Sequence, residues 1–128
     1  MTTLRTMLLI DDEPELARLI AYAASTAGYA ATATSDADSF KRHFEVAGAD
    51  LIAIDLGMPR VDGIELLRFL ADAKCEAPIL IISGFDRRVL ETTERLGEAL
   101  GLNMAGTVEK PVRLEELEAR LQDLRTGA

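Results

Sequence analysis

The sequence predicts an α/β fold, a parallel sheet with helices on both faces in a doubly wound, three-layer sandwich. Three observations predict it. Short apolar runs such as Leu51-Ile52-Ala53-Ile54 and Ile79-Leu80-Ile81-Ile82 show no polar alternation, as expected of strands buried on both faces. Stretches with apolar residues at helical spacing lie between the runs, and the two kinds alternate five times without repeat or linker. The runs end in polar residues, so one edge of a parallel sheet would collect the chain's chemistry. At 128 residues the chain reads as one domain over 1–128, enough to bury about two-thirds of its unfolded surface.

Met7-Leu8-Leu9-Ile10 reads as the first strand, closed by Asp11-Asp12-Glu13-Pro14. Pro14 suits the first turn of a helix, and the acids before it suit the helix dipole. Leu16, Leu19, Ile20, Ala23, Ala24 and Ala27 keep a helical period, and Gly28 supplies the stop. Ala30 to Thr34 is a weaker, small-residued strand. Ser35 and Asp38 stand at capping-box spacing before a second helix whose inner side would be Phe40, Phe44 and Ala47. After Gly48-Ala49-Asp50 comes the strand ending at Asp55, then Leu56-Gly57-Met58-Pro59, where a helix cannot start at once. Asp62 can cap the third helix, with Glu65 at the matching later position and Ile64, Leu67, Leu70 and Ala71 facing inward. Ile79 to Ser83 is the fourth strand. Asp86 can cap a fourth helix with Val89, Thr93, Leu96 and Leu100 inward, stopped by Gly101. Met104 to Val108 is the fifth strand, weakened by its Gly and small residues. Glu109-Lys110-Pro111 leads into a last helix with Leu114, Leu117, Leu121 and Leu124 on one stripe, too short for a coiled coil.

The bulk properties exclude several roles. A formal net charge of −8 opposes nucleic-acid binding, which requires a basic patch, and suits divalent cations and basic partner surfaces. With no Trp and 5% aromatic residues the core must be mostly aliphatic. The single cysteine, Cys75, cannot pair internally and reads as a free structural thiol of a reducing compartment. Residues 1–6 show neither signal peptide nor spanning segment, so the expectation is a cytoplasmic protein without membrane contact. His43 has no Cys or His neighbour in sequence and reads as a surface or half-buried residue.

The strand ends carry Asp11 and Asp12, Asp55, Ser83 with Gly84, and Lys110. Converging carboxylates repel: at ~4 Å each pair costs about 4 kcal/mol at an effective dielectric near 20. A hard divalent cation is the natural counter-charge, and Mg²⁺ binds through few carboxylates while keeping waters. Lys110 adds a fixed positive charge. One carboxylate is then a potential nucleophile, while a cation, a lysine and a hydroxyl can each hold an oxygen of a tetrahedral anion. Gly84 leaves room for a donor. That set suits phosphoryl transfer to an aspartate.

Asp11-Asp12, Asp55 with Met58-Pro59 and Asp62-Gly63, Ser83-Gly84 and Lys110-Pro111, in this order and each at a strand end, resemble the receiver domain of two-component response regulators. Each dipeptide alone is weak; the ordered set covers essentially the whole chain. The resemblance implies a flavodoxin-like (βα)5 fold with strand order 2-1-3-4-5. It implies Asp55 as phosphoryl acceptor, Asp12 as a direct Mg²⁺ ligand, Asp11 as a ligand acting largely through water, and the Gly57 backbone carbonyl as a further ligand. Ser83 resembles the hydroxyl that shifts toward the phosphoryl group, Lys110 the cation that pairs with it, and Lys110–Pro111 is expected to be cis. The implied partners are a histidine kinase or phosphotransfer protein and a downstream protein or output domain. A homodimer is a further expectation, because many receivers dimerise on the fourth helix, fifth strand and fifth helix. The chain is not expected to be an enzyme beyond self-phosphorylation and autodephosphorylation.

Two departures stand out. Thr107 occupies the fifth-strand place where receivers usually carry Tyr or Phe, so the usual inward swing of an aromatic ring is lost. The segment from Ser83 to Lys110 is longer than usual, with Gly101-Leu102-Asn103 beyond the fourth helix. Phe85, just after Ser83-Gly84, reads either as a cover over the site or as a core or loop-packing residue. Two rivals remain: a receiver-like interaction module that is never phosphorylated, and a Mg²⁺-dependent aspartyl-phosphate phosphatase. The latter wants an acid two residues after the nucleophile, where this chain has Gly57.

Overall fold

The computed structural model describes residues 4–84 and 87–126. Five strands and five helices alternate: β1 (Arg5–Ile10), α1 (Pro14–Thr26), β2 (Tyr29–Thr34), α2 (Ala37–Ala47), β3 (Leu51–Asp55), α3 (Gly63–Asp72), β4 (Ile79–Ser83), α4 (Arg87–Ala99), β5 (Met104–Glu109) and α5 (Leu114–Thr126). All strand pairs are parallel and the order is β2-β1-β3-β4-β5, the flavodoxin-like (βα)5 arrangement.

Successive strand residues point to opposite faces, so the runs supply two cores at once. Met7 and Leu9, Leu51 and Ala53, Leu80 and Ile82 pack with α1 and α5 through Ile20, Leu117 and Leu121. Leu8, Ile10, Ile52, Ile54, Ile79 and Ile81 pack on the other face, against Phe40, Leu66, Leu67, Leu70 and Leu90. β3 and β4 are buried at every position, which is why their sequences show no alternation.

Several local expectations are corrected. Asp36, not Ser35, caps α2: its Oδ1 accepts the Ser39 N–H at 2.8 Å. Asp62 does cap α3, accepting the Ile64 N–H at 2.9 Å, but Glu65 pairs with Lys41 at 3.0 Å rather than closing a box. Ile64 and Val89 are exposed and Leu66 and Leu90 take the inward places; Ala47 is exposed too. In α4 Val89 and Leu90 are adjacent and apolar, and packing on the sheet's core selects Leu90 as the inward residue. The expected cap Asp86 and the expected cover Phe85 lie outside the described residues.

β5 differs from its neighbours. Ile79 pairs with Met104 and Ile81 with Thr107, so two steps on β4 face three on β5. The extra residue makes a bulge, and Gly106 within it has φ +106°, a conformation that favours glycine. The glycine that weakened the fifth strand's sequence signal is the mark of that bulge. Arg120 of α5 lies beside it and donates to the Thr107 and Ala105 carbonyls at 3.1 and 3.2 Å. No helix among the described residues is long and apolar enough to cross a membrane.

Candidate functional site

The parallel register brings the C-terminal ends of β1, β3 and β4 level with one another. Ile10 pairs with Ile54, and Asp55 with Ile82. Asp11 and Asp12 follow β1, Asp55 closes β3, Ser83 closes β4, and Lys110 follows β5. Asp11 and Asp55 are buried and Asp12 is exposed; one carboxylate oxygen from each lies within 4.8 Å of the others. The three carboxylates the sequence singled out therefore lie together, with Lys110 beside Asp55.

Its internal bonds are specific. Asp55 Oδ1 accepts the Gly57 N–H at 2.8 Å, and Oδ2 faces Lys110 Nζ at 3.3 Å. A Cβ on Gly57 would stand 3.3 Å from Asp55 Oδ1, tighter than most real contacts, so a larger residue there would crowd the carboxylate. Asp11 Oδ1 accepts the Glu13 N–H at 2.8 Å, while its buried Oδ2 finds no hydrogen-bond partner. Ser83 is fully buried, and its carbonyl accepts the Lys110 N–H at 3.0 Å, locking the two residues' backbones together. The Lys110–Pro111 peptide is cis. Cys75 is a buried free thiol whose pKa burial raises, in keeping with a structural role.

The charges balance imperfectly. Burial raises the Asp11 carboxyl to about 6; the Glu13 N–H works against that, and the Asp55 charge adds to it. Burial disfavours the Lys110 ammonium, but Asp55 and then Glu13 reverse that and hold it above the ordinary lysine value. One ammonium thus serves two carboxylates, and Asp11 is left with a buried oxygen that has no hydrogen-bond partner. A hard cation fits this donor set, since it would satisfy that oxygen and relieve the repulsion. The pocket of Asp11, Asp12 and Asp55 can hold a metal ion.

Glu13 is the member that sequence reasoning missed. It was legible as the third acid of a run, but a run before Pro14 is equally well explained by a helix dipole. Its contact with Lys110, at 3.4 Å and across 97 residues of chain, has no local signal.

Comparison with known proteins places these residues in context. The sequence model of a family described as "Response regulator receiver domain" matches residues 7–122. Regulatory protein VirG of Agrobacterium tumefaciens (strain 15955) is 37% identical over 119 residues, covering 93% of this chain and 43% of that protein. The chain thus spans less than half the length of that relative. Among solved structures, a response regulator from Colwellia psychrerythraea is similar with a TM-score of 0.82 and 31% identity, covering 98% of this chain and all of that one. The Francisella response regulator 1452 receiver domain is similar with a TM-score of 0.77 and 26% identity, covering 96% and 98%.

Proposed function

This chain belongs to the response regulator receiver family, and from that premise we propose that it accepts a phosphoryl group on Asp55. The observation that carries the reading is the state of that carboxylate. It is buried at a strand end, oriented by the Gly57 N–H, faced by Lys110 and joined by two further carboxylates.

The donor is a phosphohistidine of a histidine kinase or phosphotransfer protein, or a small acyl phosphate. An Asp55 oxygen forms the new O–P bond as the donor's P–N or P–O bond breaks, and a leaving imidazole takes up a proton. Asp11, Asp12 and Asp55, with the Gly57 carbonyl, would hold Mg²⁺, which when bound neutralises their charge and polarises a phosphoryl oxygen. Lys110 pairs with a second oxygen. Ser83, at the neighbouring strand end, offers its hydroxyl to a third. Phosphorylation adds about −1.5 to −2 charge. Ser83 and Lys110 re-pair around it and bias a pre-existing equilibrium in the segment that follows β4. A downstream protein or an output domain reads that change, and the chain catalyses no other turnover.

The phosphatase rival lacks its acid at Gly57. A module that is never phosphorylated would have no need of an acceptor with both a cation partner and two flanking acids. Incubation with Mg²⁺ and acetyl phosphate should add one phosphoryl group by intact mass, and Asp55→Asn should add none. Folded, Mg²⁺-binding wild type that gains no mass would defeat the proposal.

A further inference from the structure

Glu13 occupies the N-cap position of α1, yet its carboxylate makes no capping hydrogen bond. It lies 3.4 Å from Lys110 Nζ instead, while the same ammonium is 3.3 Å from Asp55 Oδ2. The two partners are held differently. The Asp55 side chain is 1% exposed and the Glu13 side chain 58% exposed, so one carboxylate is fixed and the other faces water.

We propose that Glu13 is a positioning residue that competes with Asp55 for Lys110, easing cation binding before phosphorylation and opposing the transfer of Lys110 to the phosphoryl group afterwards. The inference rests on the phosphoacceptor reading and adds a regulator to that site. An ammonium is a compact charge with three donors, and sharing it weakens its hold on each acceptor. A cation that reaches Asp55 must loosen Lys110 from Oδ2, and Glu13 offers the displaced ammonium a second partner. Once the Asp55 side has gained its added charge, the balance reverses. Lys110 is drawn to the new anion and Glu13 holds it back. Glu13 therefore acts with opposite sign on the two binding events, through one lysine. An exposed carboxylate of this kind shifts each equilibrium by about two- to five-fold.

The test titrates the full chain with Mg²⁺ by calorimetry, and then with beryllium trifluoride, an aspartyl-phosphate mimic, at saturating Mg²⁺. Glu13→Gln should weaken Mg²⁺ and tighten beryllium trifluoride, each by about two- to five-fold. Glu15→Gln makes the same charge change on an exposed residue of the same turn and should move neither. In a Lys110→Gln background the Glu13→Gln effect on Mg²⁺ should vanish. Opposite signs exclude a loss of fold, which would weaken both ligands. Glu13→Gln behaving as wild type or as Glu15→Gln, shifts of the same sign, or an undiminished Mg²⁺ effect without Lys110 would each overturn the proposal. Wild type that binds Mg²⁺ but not beryllium trifluoride would instead overturn the phosphoacceptor reading, and this inference with it.

Discussion

β3 and β5 stand two places apart in one sheet, with β4 between them, and they are built on different terms. β3 is buried at all five positions, pairs without interruption on both sides, and delivers Asp55 to a fixed point. β5 has one buried position, Val108, carries a bulge at Gly106 and borrows an α5 arginine for two of its carbonyls. The difference separates two demands on the fold. Charges that repel must be held by a frame that cannot relax, whereas elements with little buried area open at lower cost. Lys110 stands where the two regions meet, at the end of the yielding strand with its ammonium on the rigid strand's carboxylate.

The largest expected effect tests the cost of the rigid side. Asp11 is raised to about 6 from an ordinary 3.8, first by burial and further by Asp55, against the Glu13 N–H. A carboxyl with a raised folded-state pKa contributes nothing adverse below pH 3.8, where it is protonated folded or unfolded. As pH rises the unfolded chain releases the proton first, so metal-free stability falls between pH 3.8 and about 6. The loss from this group is at most about 3 kcal/mol. Urea unfolding in chelator should show it, Asp11→Asn should lack it and be the more stable protein at pH 7, and Mg²⁺ should restore the wild type. Parallel pH profiles for wild type and Asp11→Asn would mean that the frame relaxes after all.

The fold and the carboxylate cluster were legible because they rest on short-range signals. Ile79 to Ile82 and Leu51 to Ile54 can be little other than buried strands, and a polar residue ending such a run lands at the sheet's edge by topology alone. What was illegible depended on phase or distance. Val89 and Leu90 are adjacent and apolar, so a helical period admits either as the inward residue, and only the sheet selects Leu90. Ser35 and Asp36 are both good caps one residue apart. Glu13 with Lys110, and Arg120 with the β5 carbonyls, join segments whose proximity no periodicity announces.

A middle-sized effect tests the yielding side. Gly106→Ala places a methyl at φ +106° and brings it to 2.5 Å from Arg120 Nη2. The substitution should cost about 1–3 kcal/mol, from backbone strain together with the arginine's lost carbonyl bonds. Those parts separate in a double-mutant cycle. Against Arg120→Ala the glycine substitution should cost less, because only the strain remains. An equal cost in both backgrounds would remove the arginine from the account of why this position is glycine.

The smallest expected effect bears on whether the two regions are independent. Thr107 is half-buried beside a cleft of about 330 Å³ that Arg87, Glu109, Glu116 and Arg120 also line. Space is therefore present beside the place where receivers usually carry an aromatic ring, and the Thr107 carbonyl is held by Arg120. Thr107→Tyr should change stability by less than about 1 kcal/mol, read by urea unfolding. Uptake from acetyl phosphate should stay within about twofold of wild type, as for changes at energetically separate sites. The Asp55 carboxylate is set by β1 and β3 and by the Gly57 N–H, none of which this substitution touches. A several-fold change in uptake would show that β5 feeds back on Asp55, and its route would be Lys110, the residue that belongs to both regions.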